Sequence, residues 1–186
     1  IFAFTTSRAG PVAIEDNLIA ANVARGIGVD VLMNGAGGGV AVWTLNGVIK
    51  NNTIVDNAAL PAGMCTGGGL RILGTSSSLL VELNIIANNV NCGVVCRQDP
   101  DATPGMNLLW DNTGGDYSSC SDSWSATTVF ADPYFCGRES GDYRVAEDSP
   151  ARAGTQPMGA FPEAGCGPVP VIPTTWGRLK TLYGNR

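Results

Sequence analysis

The chain has no histidine and only two lysines, Lys50 and Lys180. Without imidazole, histidine-based general acid–base catalysis and the serine or cysteine hydrolase triads are excluded. The six cysteines form no Cys-x-x-Cys pair, so a zinc site, which recruits closely spaced thiolates and imidazoles, is not expected. Eleven Lys and Arg face sixteen Asp and Glu, giving a net charge of -5 and a pI near 4.5. Nucleic acid is therefore not an expected partner, because phosphate binding needs clustered cations. No apolar run reaches the length of a membrane span. The sequence opens at Ile1 rather than Met and carries no signal peptide, which suggests a processed or truncated chain whose export would have been directed by a segment no longer present.

What is present is turn chemistry and a repeat. The chain of 186 residues holds 25 Gly and 11 Pro with 44% hydrophobic residues, enough for one substantial core. A nine-residue phrase, apolar-x-x-Asn-x-apolar-x-x-Asn, occurs at Ile14 to Asn22, Ile49 to Asn57, Val81 to Asn89 and, with Pro104 in its first position, Pro104 to Asn112. Its first Asn recurs at Asn17, Asn52, Asn84 and Asn107, at intervals of 35, 32 and 23 residues. Such spacings suit one supersecondary unit per repeat. A glycine phrase alternates with it: Gly37-Gly-Gly-Val40-Ala-Val42, Gly67-Gly-Gly-Leu70-Arg-Ile72 and the looser Cys92-Gly-Val94-Val-Cys96.

The apolar residues of both phrases read as short strands. Val40 and Val42 alternate, as do Leu70 and Ile72, while Ile54-Val55 and Ile85-Ile86 are β-branched runs of the kind buried in parallel sheets. Asn tolerates the left-handed backbone of a tight corner. Equivalent corners, stacked, place Asn17, Asn52, Asn84 and Asn107 in a ladder of side-chain amides. Asn51-Asn52-Thr53 is formally a glycosylation sequon, but it falls inside the phrase, where Asn and Thr already have structural roles.

The two alternating phrases resemble those of the right-handed parallel β-helix repeat proteins, the pectate-lyase-like superfamily, over residues 12–113. That resemblance implies an all-β solenoid of about four rungs built of short strands, with aliphatic rows as its core. A β-sandwich with Asn-rich turns is the competing architecture. Residues 114–167, with Asp132-Pro-Tyr-Phe-Cys136 and Gly141-Asp-Tyr-Arg-Val145, resemble the closing segment of secreted bacterial members, which implies an irregular, disulfide-bearing C-terminal cap. Residues 168–186 read as a Pro-rich linker and a docking tail. There Trp176, Leu179, Leu182 and Tyr183 fall on one face of a short helix that needs a surface to dock on.

Aligning Gly69 with Gly93 in neighbouring rungs sets Cys96 beside Ile72 and brings Cys65 near Cys92, a candidate bridge. Cys120 and Cys136 are the candidate pair of the cap, although six cysteines allow fifteen connectivities. Disulfides point to a secreted, extracellular or cell-surface protein.

No catalytic constellation and no required cofactor emerge. Asp99, Asp101, Asp111 and Asp116 near Arg97 are the one set of hard oxygen ligands, suited to calcium, and they are also ordinary turn residues. Trp43, Trp110 and Trp124 are candidate sugar platforms. The apolar start Ile1, Phe2 and Phe4, with the tail, is the candidate self-association surface, because a terminal rung exposes strand edges and core side chains together. The expected function is a non-catalytic structural protein of the cell surface or an extracellular filament, partnered by itself. The alternatives are a carbohydrate-binding or polysaccharide-lyase-like fragment and an adhesion module of a larger protein.

Overall fold

The computed structural model describes residues 1–4, 11–25, 37–43, 46–60, 65–74, 78–97, 102–163 and 165–167. The chain runs through the same three parallel sheets in turn. The first pass is β1 (Phe2–Phe4), β2 (Val12–Glu15), β3 (Leu18–Ala20) and β4 (Val23–Arg25). The second is β5 (Val40–Trp43), β6 (Asn46–Lys50), β7 (Thr53–Val55) and β8 (Ala58–Leu60). A third follows as β9 (Leu70–Leu73), β10 (Ser78–Glu82) and β11 (Ile85–Ala87), and a fourth as β12 (Val94–Arg97), β13 (Thr103–Pro104) and β14 (Asn107–Trp110). The strand orders are β1-β5-β9-β12-β15, β2-β6-β10-β13 and β3-β7-β11-β14-β16, where β15 is Tyr117–Ser118 and β16 Thr128–Phe130. The small sheet β4-β8 makes a fourth side, extended among the described residues by a bridge from Ala58 to Val90. The sheets thus continue past residue 113.

Register follows the two phrases. Val40 pairs with Leu70 and Leu70 with Val94, while Ile19, Ile54, Ile86 and Leu109 stack in the third sheet. These inward residues form one core with Ile14, Ile49 and Val81. Each buried aliphatic side chain there contributes about 1.5–3 kcal/mol.

Both asparagines of each phrase are stacked. In the first row Asn17 Nδ2 donates to Asn52 Oδ1 (3.1 Å), Asn52 Nδ2 to Asn84 Oδ1 (2.9 Å) and Asn84 Nδ2 to Asn107 Oδ1 (2.9 Å). A second row, not among the sequence expectations, joins Asn22, Asn57, Asn89 and Asn112 in the same way and ends where Asn112 Nδ2 donates to Asp116 Oδ1 (2.8 Å). Each internal Asn also donates its backbone N–H to the next Oδ1, and its amide hydrogens reach two backbone carbonyls in the first row and one in the second. Polar groups wholly removed from water are thereby satisfied.

The left-handed corner is not at these asparagines but one residue earlier. Asp16, Ala21, Asn51, Asp56, Leu83, Asn88 and Asp111 have φ between 47° and 57°. The turn is made by the residue preceding the ladder Asn in every case but Asn107, whose predecessor Met106 does not have positive φ, and the ladder hydrogen bonds hold it there. The glycine phrases divide two tasks. Gly37 and Gly67 have φ of 71° and 81°, a conformation that suits glycine. Gly39, Gly69 and Gly93 are instead short of room: an added Cβ would lie 2.9, 2.9 and 2.6 Å from the amide nitrogens of Asn57, Asn89 and Asn112. The third glycine is small because the second amide row passes beside it.

Among the described residues the second sheet receives no strand after β13. Helix α1 (Ser123–Thr127) comes between β15 and β16 instead, and its Trp124 is buried in the core at 1% exposure. Trp124 is therefore a plug rather than a sugar platform. Residues 131–163 then turn back along the outer face of the third sheet, where Val145, Ala151 and Met158 pack on Leu83, Ile85, Ala87 and Leu108. Within that segment β17 (Phe135–Gly137) and β18 (Asp142–Val145) form an antiparallel pair.

Three disulfides lock these relations. Cys65 bonds Cys92 and Cys96 bonds Cys120, each joining neighbouring passes, while Cys136 bonds Cys166 within the returning segment. The expected Cys120 to Cys136 bridge is thus corrected. Cys120 follows β15, which lies beside the Cys96 strand β12, whereas Cys136 has already turned onto the flank. The separations of 27, 24 and 30 residues are worth about 3.5 kcal/mol each in the chain-entropy account.

Replacing Asn84 by Ala orphans buried donors and acceptors in both neighbouring passes and is expected to cost about 4 kcal/mol, whereas Asn22→Ala, at the exposed end of its row, costs about 1 kcal/mol. Urea midpoints of the two variants check the contrast. The double change Cys136→Ser with Cys166→Ser is expected to cost about 2–4 kcal/mol. In hydrogen exchange it releases the backbone of residues 131–163 while the amides of β7, β11 and β14 stay protected.

Candidate association edge and flank groove

Among the described residues, strands β1, β2, β3 and β4 are each the outermost strand of their sheet. An outermost strand keeps a row of backbone donors and acceptors for another chain. The amide rows repeat this at side-chain level: every internal ladder Oδ1 accepts from the pass before, but among the described residues no donor reaches Oδ1 of Asn17 or Asn22. Apolar groups accompany the edge, with Ile1 54%, Leu18 43% and Val23 53% exposed. Ile1 is itself tied down. Its nitrogen donates to the Gly39 carbonyl at 2.6 Å and its carbonyl accepts from Ala41 N at 2.8 Å.

The far end is finished differently. β13 carries Pro104, β15 has two residues, Trp124 fills the core, and the Asp116 carboxylate, an acceptor with nothing to donate, terminates the second row. These are the usual ways of blunting an edge.

Of the self-association residues expected from sequence, the backbones of Phe2 and Phe4 pair with Ala41 and Trp43, so β1 lies on this edge. Trp176, Leu179, Leu182 and Tyr183 lie outside the described residues, as do Asp99 and Asp101. Asp111 occupies a corner at φ 47°, and Asp116 serves the amide row. Among the described residues, no three acidic, histidine or cysteine side chains are grouped to hold a metal ion. The sequon residue Thr53 is buried, and its hydroxyl accepts from Ala160 N at 3.0 Å.

The returning segment builds a second feature. Asp56, at a left-handed corner of the second pass, accepts from Arg138 Nε at 2.9 Å and from the Tyr143 hydroxyl at 3.1 Å. Burial first, and then the bond to Asp56, raise the Tyr143 pKa. Arg138 is held charged by the same carboxylate. Beside this cluster lies a groove of about 450 Å³ between the corner residue Asn88, Trp110 at the end of β14, and Asp132, Tyr134, Arg138 and Glu139 of the returning segment. Trp110 is 38% and Tyr134 47% exposed. Tyr134 has φ 53°, a region that costs a side-chain-bearing residue about 1–2 kcal/mol.

Sequence reading had singled out Trp110 but not the rest of the groove, since its two walls are more than twenty residues apart and meet only because the segment folds back. The second amide row was legible, because its asparagines recur five residues after those of the first.

A tyrosine whose pKa is raised on folding favours the protonated form in the folded state, so stability is full below the unfolded value of 10.0 and falls as pH rises through it. Urea midpoints taken between about pH 9 and 11 are expected to decline more steeply in the natural chain than in Tyr143→Phe. Asp56→Ala is expected to cost about 1 kcal/mol at neutral pH, since both partners can regain water.

Compared with protein-family models, curated proteins and solved structures, the chain matches none of them.

Proposed function

We propose that the protein is a right-handed parallel β-helix of the pectate-lyase-like kind, working outside the cytoplasm as a non-catalytic structural module that associates with its own copies through the first pass. The observation that carries this reading is the contrast between the two ends. One presents, among the described residues, four outermost strands, the terminal amide oxygens of the two rows (Asn17 and Asn22 Oδ1) without a protein donor, and exposed Leu18 and Val23. The other is closed by Trp124 and Asp116. Three disulfides suit an oxidising compartment.

The contrast also bears on the form of the assembly. A head-to-tail filament needs two complementary ends, whereas like edges meet in an isologous pair that closes on itself. Contacts of the first pass alone make dimers. Growth into filaments requires a second contact, for which the tail with Trp176 is the candidate.

Light scattering coupled to size exclusion, with electron microscopy of the intact chain and of a chain ending at Gly167, tests this. Dimers or larger species are expected, reduced to monomers by Leu18→Lys with Val23→Lys at unchanged melting temperature. Filaments lost with the tail place the second contact there. Monomers of the natural chain at all concentrations up to about 100 μM, well above the dissociation constants of stable pairs, overturn the reading.

A further inference from the structure

The flank groove contains a strained residue that packing does not explain. Tyr134 lies in the left-handed region and is 47% exposed, yet its backbone is fixed from several sides. Its N–H donates to Asp132 Oδ1 at 2.8 Å, its carbonyl accepts from Ala146 N at 3.0 Å, and the preceding carbonyl, that of Pro133, accepts from Ser149 Oγ at 2.7 Å. A bulky residue forced into such a conformation by its surroundings, and then left open to solvent, is the kind of outlier that marks a functional position.

We propose that this groove binds an uncharged pyranose oligosaccharide, with Trp110 and Tyr134 offering the aromatic faces and Asp132, Glu139 and Asn88 the hydrogen-bonding groups. The chemistry of the walls selects that class. Aromatic rings with one apolar face free take the C–H faces of sugar rings, and their own polar atoms remain in reach of water or hydroxyls. Asp132 spends one oxygen on the Tyr134 amide, and among the described residues no protein donor reaches its other oxygen or the Glu139 carboxylate. Hydroxyl groups bonded to such carboxylates make strong, charge-assisted hydrogen bonds.

Charge sets the second half of the specificity. The one guanidinium in the groove, Arg138, is committed to Asp56 through Nε and Nη2, so Asp132 and Glu139 leave the cavity negative. Uronic acids and sulfated sugars meet like charge there, and neutral hexoses or N-acetylated hexosamines do not. The volume of about 450 Å³ falls within the range of small-ligand sites and accommodates a few sugar rings at most. The site is independent of association through the first pass.

Isothermal titration with cellohexaose, chitohexaose and polygalacturonate tests the proposal. At least one neutral hexasaccharide is expected to bind, and polygalacturonate is not. Trp110→Ala is expected to lower the affinity at least tenfold. Tyr134→Gly, which keeps the left-handed backbone and removes only the ring, is expected to lose at least tenfold in affinity while melting no lower than the natural chain. The proposal is overturned if neither neutral hexasaccharide binds, if polygalacturonate binds more tightly than both, or if Tyr134→Gly binds as well as the natural chain.

Discussion

Two rows of buried side-chain amides hold the passes of this protein in register, and the rest of the structure is built around their needs. A buried primary amide has two hydrogens and a carbonyl to satisfy, and a leftover group costs a substantial part of a small domain's stability. Here Asn52, Asn57, Asn84 and Asn89 meet that demand by bonding the equivalent residue one pass away. The solution works only if successive corners superimpose, so the rows fix where each strand starts. It also explains why residues as unlike as Ala21, Asp56 and Leu83 adopt the same left-handed corner. Their conformation is imposed by the Asn that follows.

The same rows account for the glycines. Gly39, Gly69 and Gly93 lie beside the second row with no room for a methyl group, so two phrases separated in sequence are one packing unit in space. Two disulfides then join successive passes near the glycine phrases, at Cys65 to Cys92 and Cys96 to Cys120. Hydrogen bonds set the spacing of the stack, and covalent links prevent neighbouring passes from separating.

Beyond the rows, the chain treats its surfaces unequally. The outer face of the third sheet, with Ile85, Ala87 and Leu108, is too apolar to leave in water, and residues 131–163 cover it. That return creates both the Asp56, Arg138 and Tyr143 cluster and the groove at Trp110 and Tyr134. The closed end is sealed by Trp124 and Asp116, while the first pass keeps its edges. Each feature that bears on function is a consequence of how a surface of the stack is, or is not, finished.

The parallel strands, their order and the first amide row were written in the sequence, because a repeat records the same local demand several times over. Asn17, Asn52, Asn84 and Asn107 occupy the same place in a repeated phrase, and the register of Cys96 with Ile72 follows from Gly69 and Gly93. The second row carried the same signal in Asn22, Asn57, Asn89 and Asn112. Whatever occurs once left no such record. The partner of Cys120, the burial of Trp124, the covering of the third sheet by residues 131–163 and the meeting of Trp110 with Tyr134 each depend on a single long-range contact. Local sequence determined the repeating unit through hydrogen-bond and steric needs met between neighbouring copies, and tertiary structure alone decided the non-repeating contacts, whose partners are distant in the chain and meet only after the stack has formed.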